Sequence, residues 1–140
     1  MSDLTAPAVM FPGQGPESAY RTAHDLLSRR FPREALEVIE SALADAGPDE
    51  KQRTTGLRTL QAWAYLLRAQ LQKAEEVLRD LVAEDPSDVW AQHALGRALE
   101  RQSKYAEALG HLRLAAVMSG DWDHEAAVFR VQQQVARTAE

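Results

Sequence analysis

The chain of 140 residues contains no cysteine. This absence excludes disulfide frameworks, thiolate metal sites and thiol nucleophiles. No apolar run is long enough to span a membrane. Positive charge is also in deficit, because 16 Lys and Arg residues stand against 21 Asp and Glu residues and leave a net charge of −5. The composition therefore argues against nucleic acid as a partner and against a membrane association.

Signatures of catalysis are missing as well. The sequence has no glycine-rich phosphate loop and no Gly-X-Ser-X-Gly nucleophile motif. Its four histidines lack the spacings that are typical of a zinc site. They are His24, His93, His111 and His124. We therefore expect no enzymatic activity, no bound metal and no cofactor.

The first residues carry little structural signal. Residues 1–15 contain two prolines, two glycines and no helical period, which predicts a flexible arm. The apolar cluster Val9–Phe11 leaves a second possibility, that the arm occupies a binding groove. The start of the chain lacks a basic and then apolar secretory signal, so we expect a cytoplasmic location. The excess of Arg over Lys points to a bacterial source.

What the sequence does contain is a repeat. Three alanines open the second helix of three similar segments, and the last two alanines lie 34 residues apart. Each has a small residue twelve positions earlier and a Leu or Ile four positions later. The three sets are Ala23, Ala35 and Ile39; Ala62, Ala74 and Leu78; and Gly96, Ala108 and Leu112. This period and pattern predict an array of helix-turn-helix units whose paired helices approach closely at the small residues.

The third segment resembles the tetratricopeptide repeat (TPR) family at most of its informative positions, from Leu95-Gly96 through Ala108 to Ala115. Asp85-Pro86 lies where that family places its closing acid-proline step. The resemblance implies an all-α fold, a right-handed α-solenoid of three TPR repeats with a capping helix. We place one TPR domain at 16–140, with repeats at about 16–49, 55–88 and 89–122 and the capping helix at about 123–138.

The first spacing departs from the period. Ala35 and Ala74 lie 39 residues apart, so five extra residues fall near positions 49–53. These residues either lengthen the first helix of the second repeat or form a loop. We favour the longer helix, because Asp49-Glu50-Lys51-Gln52 places acidic residues where a helix would begin.

The resemblance further implies a concave groove lined by the first helix of each repeat. Aromatic residues and Arg are the side chains most enriched at binding hot spots. The positions carried over from the family are Glu17, Tyr20, His24, Leu27, Thr59, Trp63, Leu66, Trp90, His93, Arg97 and Arg101. These side chains would suit an extended peptide or a helix of another protein, with an acidic group and an apolar side chain.

Alternatives remain open for several of these residues. Trp63 and Trp90 could be core residues, and Arg97 and Arg101 could form a solvated face paired with acidic neighbours such as Glu100. A different alternative is a structural homo-oligomer in which Trp63 and Trp90 bury against a second copy, and self-association through the apolar ends of a short array is a further possibility. A dedicated chaperone for a secreted or unstructured client is the other alternative to a general protein-binding module.

One partner is disfavoured by the sequence. TPR domains that clamp the carboxylate tail of heat-shock chaperones carry Lys, Asn and Arg at five positions of their first helices. The corresponding residues here are Tyr20, His24, Leu60, Trp90 and Ala94. Because no member of the clamp is present, we do not expect this chain to bind such a tail.

Overall fold

The computed structural model describes residues 15–139, so positions 1–14 of the predicted arm, with its apolar cluster, lie outside the described residues, and Gly15 begins the first helix. Over the described residues the chain forms α-helices and no strand, which confirms the all-α prediction. The helices are α1 (Gly15–Ser28), α2 (Pro32–Asp45), α3 (Thr55–Leu67), α4 (Leu71–Glu84), α5 (Val89–Arg101), α6 (Tyr105–Ser119) and α7 (Trp122–Thr138). The chain divides between Ala69 and Gln70 into two compact units.

The first unit packs α1, α2 and α3 against one another. Apolar residues recur at helical spacing on the inner face of each helix, so each helix contributes a stripe to one core. The fully or nearly fully buried residues are Ala23, Leu26, Leu27, Ala35, Leu36, Ile39, Leu57, Leu60 and Ala64. The predicted small residues at the helix crossing, Ala23 and Ala35, both have no solvent exposure.

The turn inside each repeat has the same backbone conformation. Arg30, Ala69 and Ser103 have φ of 68°, 56° and 63°, and each lies five positions before the alanine of its repeat. After α1, the amides of Arg30 and Phe31 donate to the carbonyls of Leu27 and Leu26 at 3.0 and 2.8 Å. After α5, the amides of Ser103 and Lys104 donate in the same way to Glu100 and Leu99, both at 2.9 Å. These paired bonds satisfy the last carbonyls of a helix and hold a non-glycine residue in the left-handed region.

The insertion in the second repeat does not lengthen α3, and this prediction was wrong. Residues 48–54 form a 3-10 turn followed by hydrogen-bonded turns, and α3 begins at Thr55. The carbonyl of Lys51 accepts hydrogen bonds from the side chains of Thr54, Thr55 and Arg58, at 3.0, 3.2 and 2.8 Å. Side chains that bond the backbone locally compete with a regular helix. The segment is therefore a compact loop, which was the alternative interpretation.

In the second unit α4 packs on α5, α5 on α6 and α6 on α7. Asp88 caps α5 by accepting from the amide of Ala91 at 3.1 Å, as the Asp85–Asp88 turn predicts. Gly96 brings α5 and α6 together: a Cβ added there would lie 2.6 Å from the Leu112 side chain. The sequence prediction of a close crossing at this glycine is confirmed.

Gln92 is a buried polar residue on α5, with 1% of its surface exposed. Its amide nitrogen donates to the carbonyl of Pro86 at 3.0 Å, and its amide oxygen lies 2.9 Å from Nδ1 of His111 on α6. Buried polar groups are tolerated when they are hydrogen-bonded in this way. Gln92 therefore fixes α5 between the preceding turn and α6, and with it the residues that α5 presents to solvent.

Candidate functional site

In the first unit, a strip of aromatic side chains crosses from α1 to α3. The Tyr20 ring stacks on His24, with centroids 6.0 Å apart, and His24 meets the edge of Trp63 at 6.2 Å. Tyr20 and His24 are four residues apart, so they share one face of α1. Tyr20 is 38% exposed and His24 is also exposed. We call these three residues the aromatic strip.

Trp63 anchors the strip to the core. Its side chain is half-buried and packs against the core of the first unit. It therefore contacts both the core of the first unit and the exposed ring of His24. Thr59 and Leu66, which share α3 with Trp63, are half-buried as well, and the Thr59 hydroxyl donates to the carbonyl of Thr55 at 3.0 Å.

One residue carried over from the family does not reach the surface. Leu27 is only 1% exposed and belongs to the core of the first unit, so its assignment to the groove is corrected here. A step of three residues turns a helix by about 300°, which places Leu27 about 60° around α1 from His24. That rotation is enough to turn its side chain from solvent toward the core.

A pocket of about 370 Å³ opens beside the aromatic strip, between the first turns of α1 and α3. It is lined by Pro16, Glu17, Tyr20, Arg21, Arg53, Gly56 and Leu57. Gly56 makes room for the Tyr20 ring, because a Cβ at this position would lie 3.1 Å from a ring carbon. We call this cavity the α1–α3 pocket. It combines an aromatic and aliphatic wall with two guanidinium groups and the carboxylate of Glu17.

In the second unit, α5 presents a second set of candidate side chains. Trp90 is 40% exposed, so it is a surface residue rather than a core residue. Arg97 and Arg101 are exposed on the same helix. The Nε atom of Arg97 lies 3.2 Å from a carboxylate oxygen of Glu100, which confirms the predicted pairing of this Arg with an acidic neighbour.

Glu100 also binds the capping helix. Arg130 of α7 donates to both of its carboxylate oxygens, from Nε at 2.7 Å and from Nη2 at 2.8 Å. This two-point geometry is the strongest form of a guanidinium–carboxylate pair. Hydrogen bonding by Arg130 accordingly lowers the pKa of Glu100, and the carboxylate stays ionised between two arginines.

His93 lies between Trp90 and Arg97 along α5 and contacts α7. Its ring centroid is 4.4 Å from that of His124, and its Nδ1 atom is buried without a hydrogen-bond partner. Burial, reinforced by nearby His124, Arg97 and Arg130, lowers the pKa of His93 to about 4. His93 is therefore a neutral, half-buried residue near neutral pH rather than a cation available to an acidic ligand.

The predicted site residues thus fall into two groups. The structure brings Tyr20, His24 and Trp63 into contact in the first unit, while the second unit presents Trp90, His93, Arg97 and Arg101 on α5. The sequence analysis missed the residues that frame these groups. They are Arg21, Arg53 and Gly56 in the α1–α3 pocket, and His124 and Arg130 on α7. Arg21 is next to Tyr20 on α1, whereas each of the other four belongs to a different element from the residue it supports, and no spacing in the sequence connects them.

Residues 15–139 contain neither a cluster of metal-ligating side chains nor a helix that could cross a membrane. No three His, Asp or Glu side chains in this part of the chain lie close enough together to hold a metal ion. None of its helices is both long enough and apolar enough to cross a membrane.

No protein-family model and no curated protein sequence matches the chain. Solved structures of TPR domains do. The first TPR domain of Spaghetti (RPAP3), bound to an HSP90 peptide, has a TM-score of 0.77 at 17% identity, and the match covers 90% of this chain and 99% of the Spaghetti chain. The Sgt2 TPR domain from Aspergillus fumigatus has a TM-score of 0.77 at 18% identity, with coverage of 93% and 85%. TTC0263, a TPR protein of Thermus thermophilus, has a TM-score of 0.72 at 19% identity, with coverage of 95% and 72%.

These similarities identify the fold of the molecule. The chain has the fold of a TPR domain, three helix-turn-helix repeats followed by a capping helix, as the repeat pattern of its sequence predicts.

Proposed function

We propose that this chain is a protein-interaction module that binds an extended segment or a helix of another protein through side chains of its first helices. The observation that carries the proposal is the aromatic strip beside the α1–α3 pocket. Tyr and Trp bury large areas with few rotatable bonds, which makes them effective anchors for a peptide. Tyr20 belongs to both features and is their centre.

The chemistry of the pocket indicates what the ligand carries. An apolar side chain would pack against Tyr20 and Leu57, and an acidic group beside it would meet Arg21 and Arg53. Arg53 pairs with Glu50 at 3.6 Å on the solvent-exposed surface, and such pairs contribute little energy. A ligand carboxylate can therefore replace Glu50 at small cost. The second unit offers the same kinds of side chain on α5.

The peptide-bound structure of Spaghetti supports peptide binding by this fold. It does not supply the partner for this chain. Two of the positions where a heat-shock clamp would place polar side chains are occupied by Leu60 and Ala94, which are only 3% and 6% exposed. We therefore propose a different ligand, with an apolar anchor and an acidic neighbour.

The test is selection from a displayed library of random peptides, followed by affinity measurements on variants. Tyr20→Ala should weaken the selected peptides by roughly tenfold or more, as expected for the loss of an aromatic hot spot. Trp90→Ala tests the second unit in the same way. Both rings are at least one-third exposed, so their truncation should leave the helix content by circular dichroism unchanged. Trp63 is less suitable because it also supports the core.

The matched control is Tyr105→Ala, which removes an aromatic ring from the first turn of α6, outside the aromatic strip and outside α5. Peptides that lose affinity with Tyr20→Ala but keep it with Tyr105→Ala support the proposal. Selection of no peptide, or of peptides whose affinity is indifferent to both Tyr20→Ala and Trp90→Ala, would overturn it.

A further inference from the structure

Helix α6 is apolar on two opposite sides. Its inner side is buried through Ala108, Leu109, Leu112, Ala115 and Ala116, where it meets α5 and α7. Its outer side carries Leu114, Val117 and Met118, which are 49%, 83% and 38% exposed. A helix that is apolar all round is typically covered on all sides. Within this chain, the outer side of α6 remains open to solvent.

Helix α7 also carries exposed apolar side chains. Trp122 begins α7 directly after the Gly120–Asp121 turn and is 76% exposed. Phe129, two helical turns later and on the same face, is 63% exposed. We define the C-terminal apolar patch as Leu114, Val117, Met118, Trp122 and Phe129. Large exposed apolar side chains grouped on the last two helices indicate an interaction site in a soluble protein.

The repeats themselves show that the fold does not require this patch. Counted from the alanine of each repeat, the equivalents of Leu114, Val117 and Met118 are Ser41, Ala44 and Asp45 in α2, and Asp80, Ala83 and Glu84 in α4. All six are exposed, and they are small or polar. The same exposed positions thus carry small or polar residues in the first two repeats and large apolar residues only in the third. Packing within the repeat cannot explain that difference, whereas an external partner can.

We propose that the C-terminal apolar patch binds a second copy of this chain, and that the protein forms a two-fold dimer through α6 and Trp122. The exposed apolar area of the patch is large enough for such a dimer. Exposed aromatic side chains present about 150–250 Å² each, so the exposed fractions of the five residues correspond to roughly 500 Å² of apolar surface. A standard interface buries about 800 Å² per partner, of which about 57–65% is apolar, or roughly 500 Å².

The charges around the patch favour a second copy of this chain as the partner. Arg113 lies one turn before Val117 on α6, and Asp121 and Asp123 follow the helix at the other end of the stripe. A two-fold axis near Val117 would run the two α6 helices antiparallel and bring the basic end of each copy to the acidic end of the other. An interface that carries both signs of charge on one surface can complement itself in this arrangement.

The test is the molar mass of the full chain in solution, measured by sedimentation equilibrium from low micromolar to near-millimolar concentration. We expect a reversible monomer–dimer equilibrium. Val117→Asp should raise the dimer dissociation constant by at least about tenfold, because it places two desolvated carboxylates opposite each other at the axis. Its side chain is almost fully exposed in the single chain, so the fold should tolerate the change.

The matched control is Ala83→Asp, which introduces the same charge at the equivalent exposed position of α4. It should leave the dissociation constant unchanged. A second test reverses charges: Arg113→Asp alone should weaken the dimer, and adding Asp123→Arg should restore it. A chain that stays monomeric at every concentration, or a dimer equally strong with Val117→Asp, would overturn the proposal. Neither result depends on the peptide-binding function, because no peptide is present.

Discussion

The crossing of α5 and α6 at Gly96 allows a prediction whose sign is set by the structure. In the interior of an exposed helix, replacing Gly by Ala stabilises the helix by about 1 kcal/mol. At Gly96 the added Cβ would lie 2.6 Å from both Cγ and Cδ2 of Leu112 and 3.3 Å from the carbonyl oxygen of Ala108. Leu112 has no solvent exposure, so its side chain has no space to move into. Gly96→Ala should therefore destabilise the protein.

The magnitude follows from two opposing terms. Forcing one extra methyl group into a packed core costs typically 1–3 kcal/mol, and more when the obstructed atoms cannot relax. The helix propensity of Ala returns about 1 kcal/mol. Because Cγ is a branch point close to the backbone rather than the far end of a flexible chain, we take the upper half of the range. The free energy of unfolding should fall by about 1–2 kcal/mol.

Gly110 on α6 supplies the matched control. It also lies inside a helix, but a Cβ added there meets nothing within 4 Å. Gly110→Ala should therefore raise the free energy of unfolding by about 1 kcal/mol, through propensity alone. The two glycine-to-alanine changes should differ by about 2–3 kcal/mol and have opposite signs.

The assay is urea denaturation of dilute protein, followed by circular dichroism, for the parent and both variants. A double variant tests the cause. Leu112→Ala alone should cost about 2–5 kcal/mol by opening a cavity. Combined with Gly96→Ala, it should cost clearly less than the sum, because the new methyl group occupies part of that cavity. If Gly96→Ala stabilised the protein as much as Gly110→Ala, the close crossing would be refuted.

Two further predictions concern the repeat turn and pH. Ala69 has a φ of 56°, a left-handed conformation that costs a non-glycine residue about 1–2 kcal/mol. Ala69→Gly should therefore raise the midpoint of thermal unfolding, whereas the control Ala126→Gly, inside α7, should lower it. A lower midpoint for Ala69→Gly would contradict the reasoning. For His93, the unfolded imidazole titrates near 6.5 and the folded one near 4, so the unfolded chain takes up the proton first and stability is lost as the pH falls from 6.5 toward 4. His93→Leu should make the urea midpoint less dependent on pH across that window, and a pH dependence identical to that of the parent would count against the buried, unpartnered imidazole.

The fold could be predicted because its determinants are local and periodic. The 34-residue period located the helices, and the small residue at Gly96 located a close helix crossing. Asp88 likewise indicates the start of α5, because a side chain that caps a helix lies next to the residues it caps. Each of these signals is a residue type at a fixed position or spacing along the chain.

The loop before α3 could not be predicted in the same way. Asp49 and Glu50 have the composition of a helix start, but the outcome depends on three side chains that converge on the carbonyl of Lys51. Propensity describes each residue separately, and it carries no information about which carbonyl a threonine or arginine will reach. The same composition therefore suits a helix or a compact turn.

The candidate site was predicted only along each helix. Spacing placed Tyr20 beside His24, but it carried no information about Arg53 in the same pocket or about His124 against His93. The second pair lies 31 positions apart in the sequence, and many exposed side chains of the same types surround them. Pairings between elements depend on the crossing geometry, which a single sequence does not supply.

The shared carboxylate of Glu100 has a consequence for how binding on α5 would affect the rest of the second unit. Arg130 alone satisfies both oxygens of Glu100, whereas Arg97 contacts one oxygen from a single nitrogen. If an acidic ligand recruited Arg97, Glu100 would keep its two-point bond to α7. A ligand that bound Arg97 would therefore leave α7 in place, because a different residue, Arg130, holds α7 to Glu100.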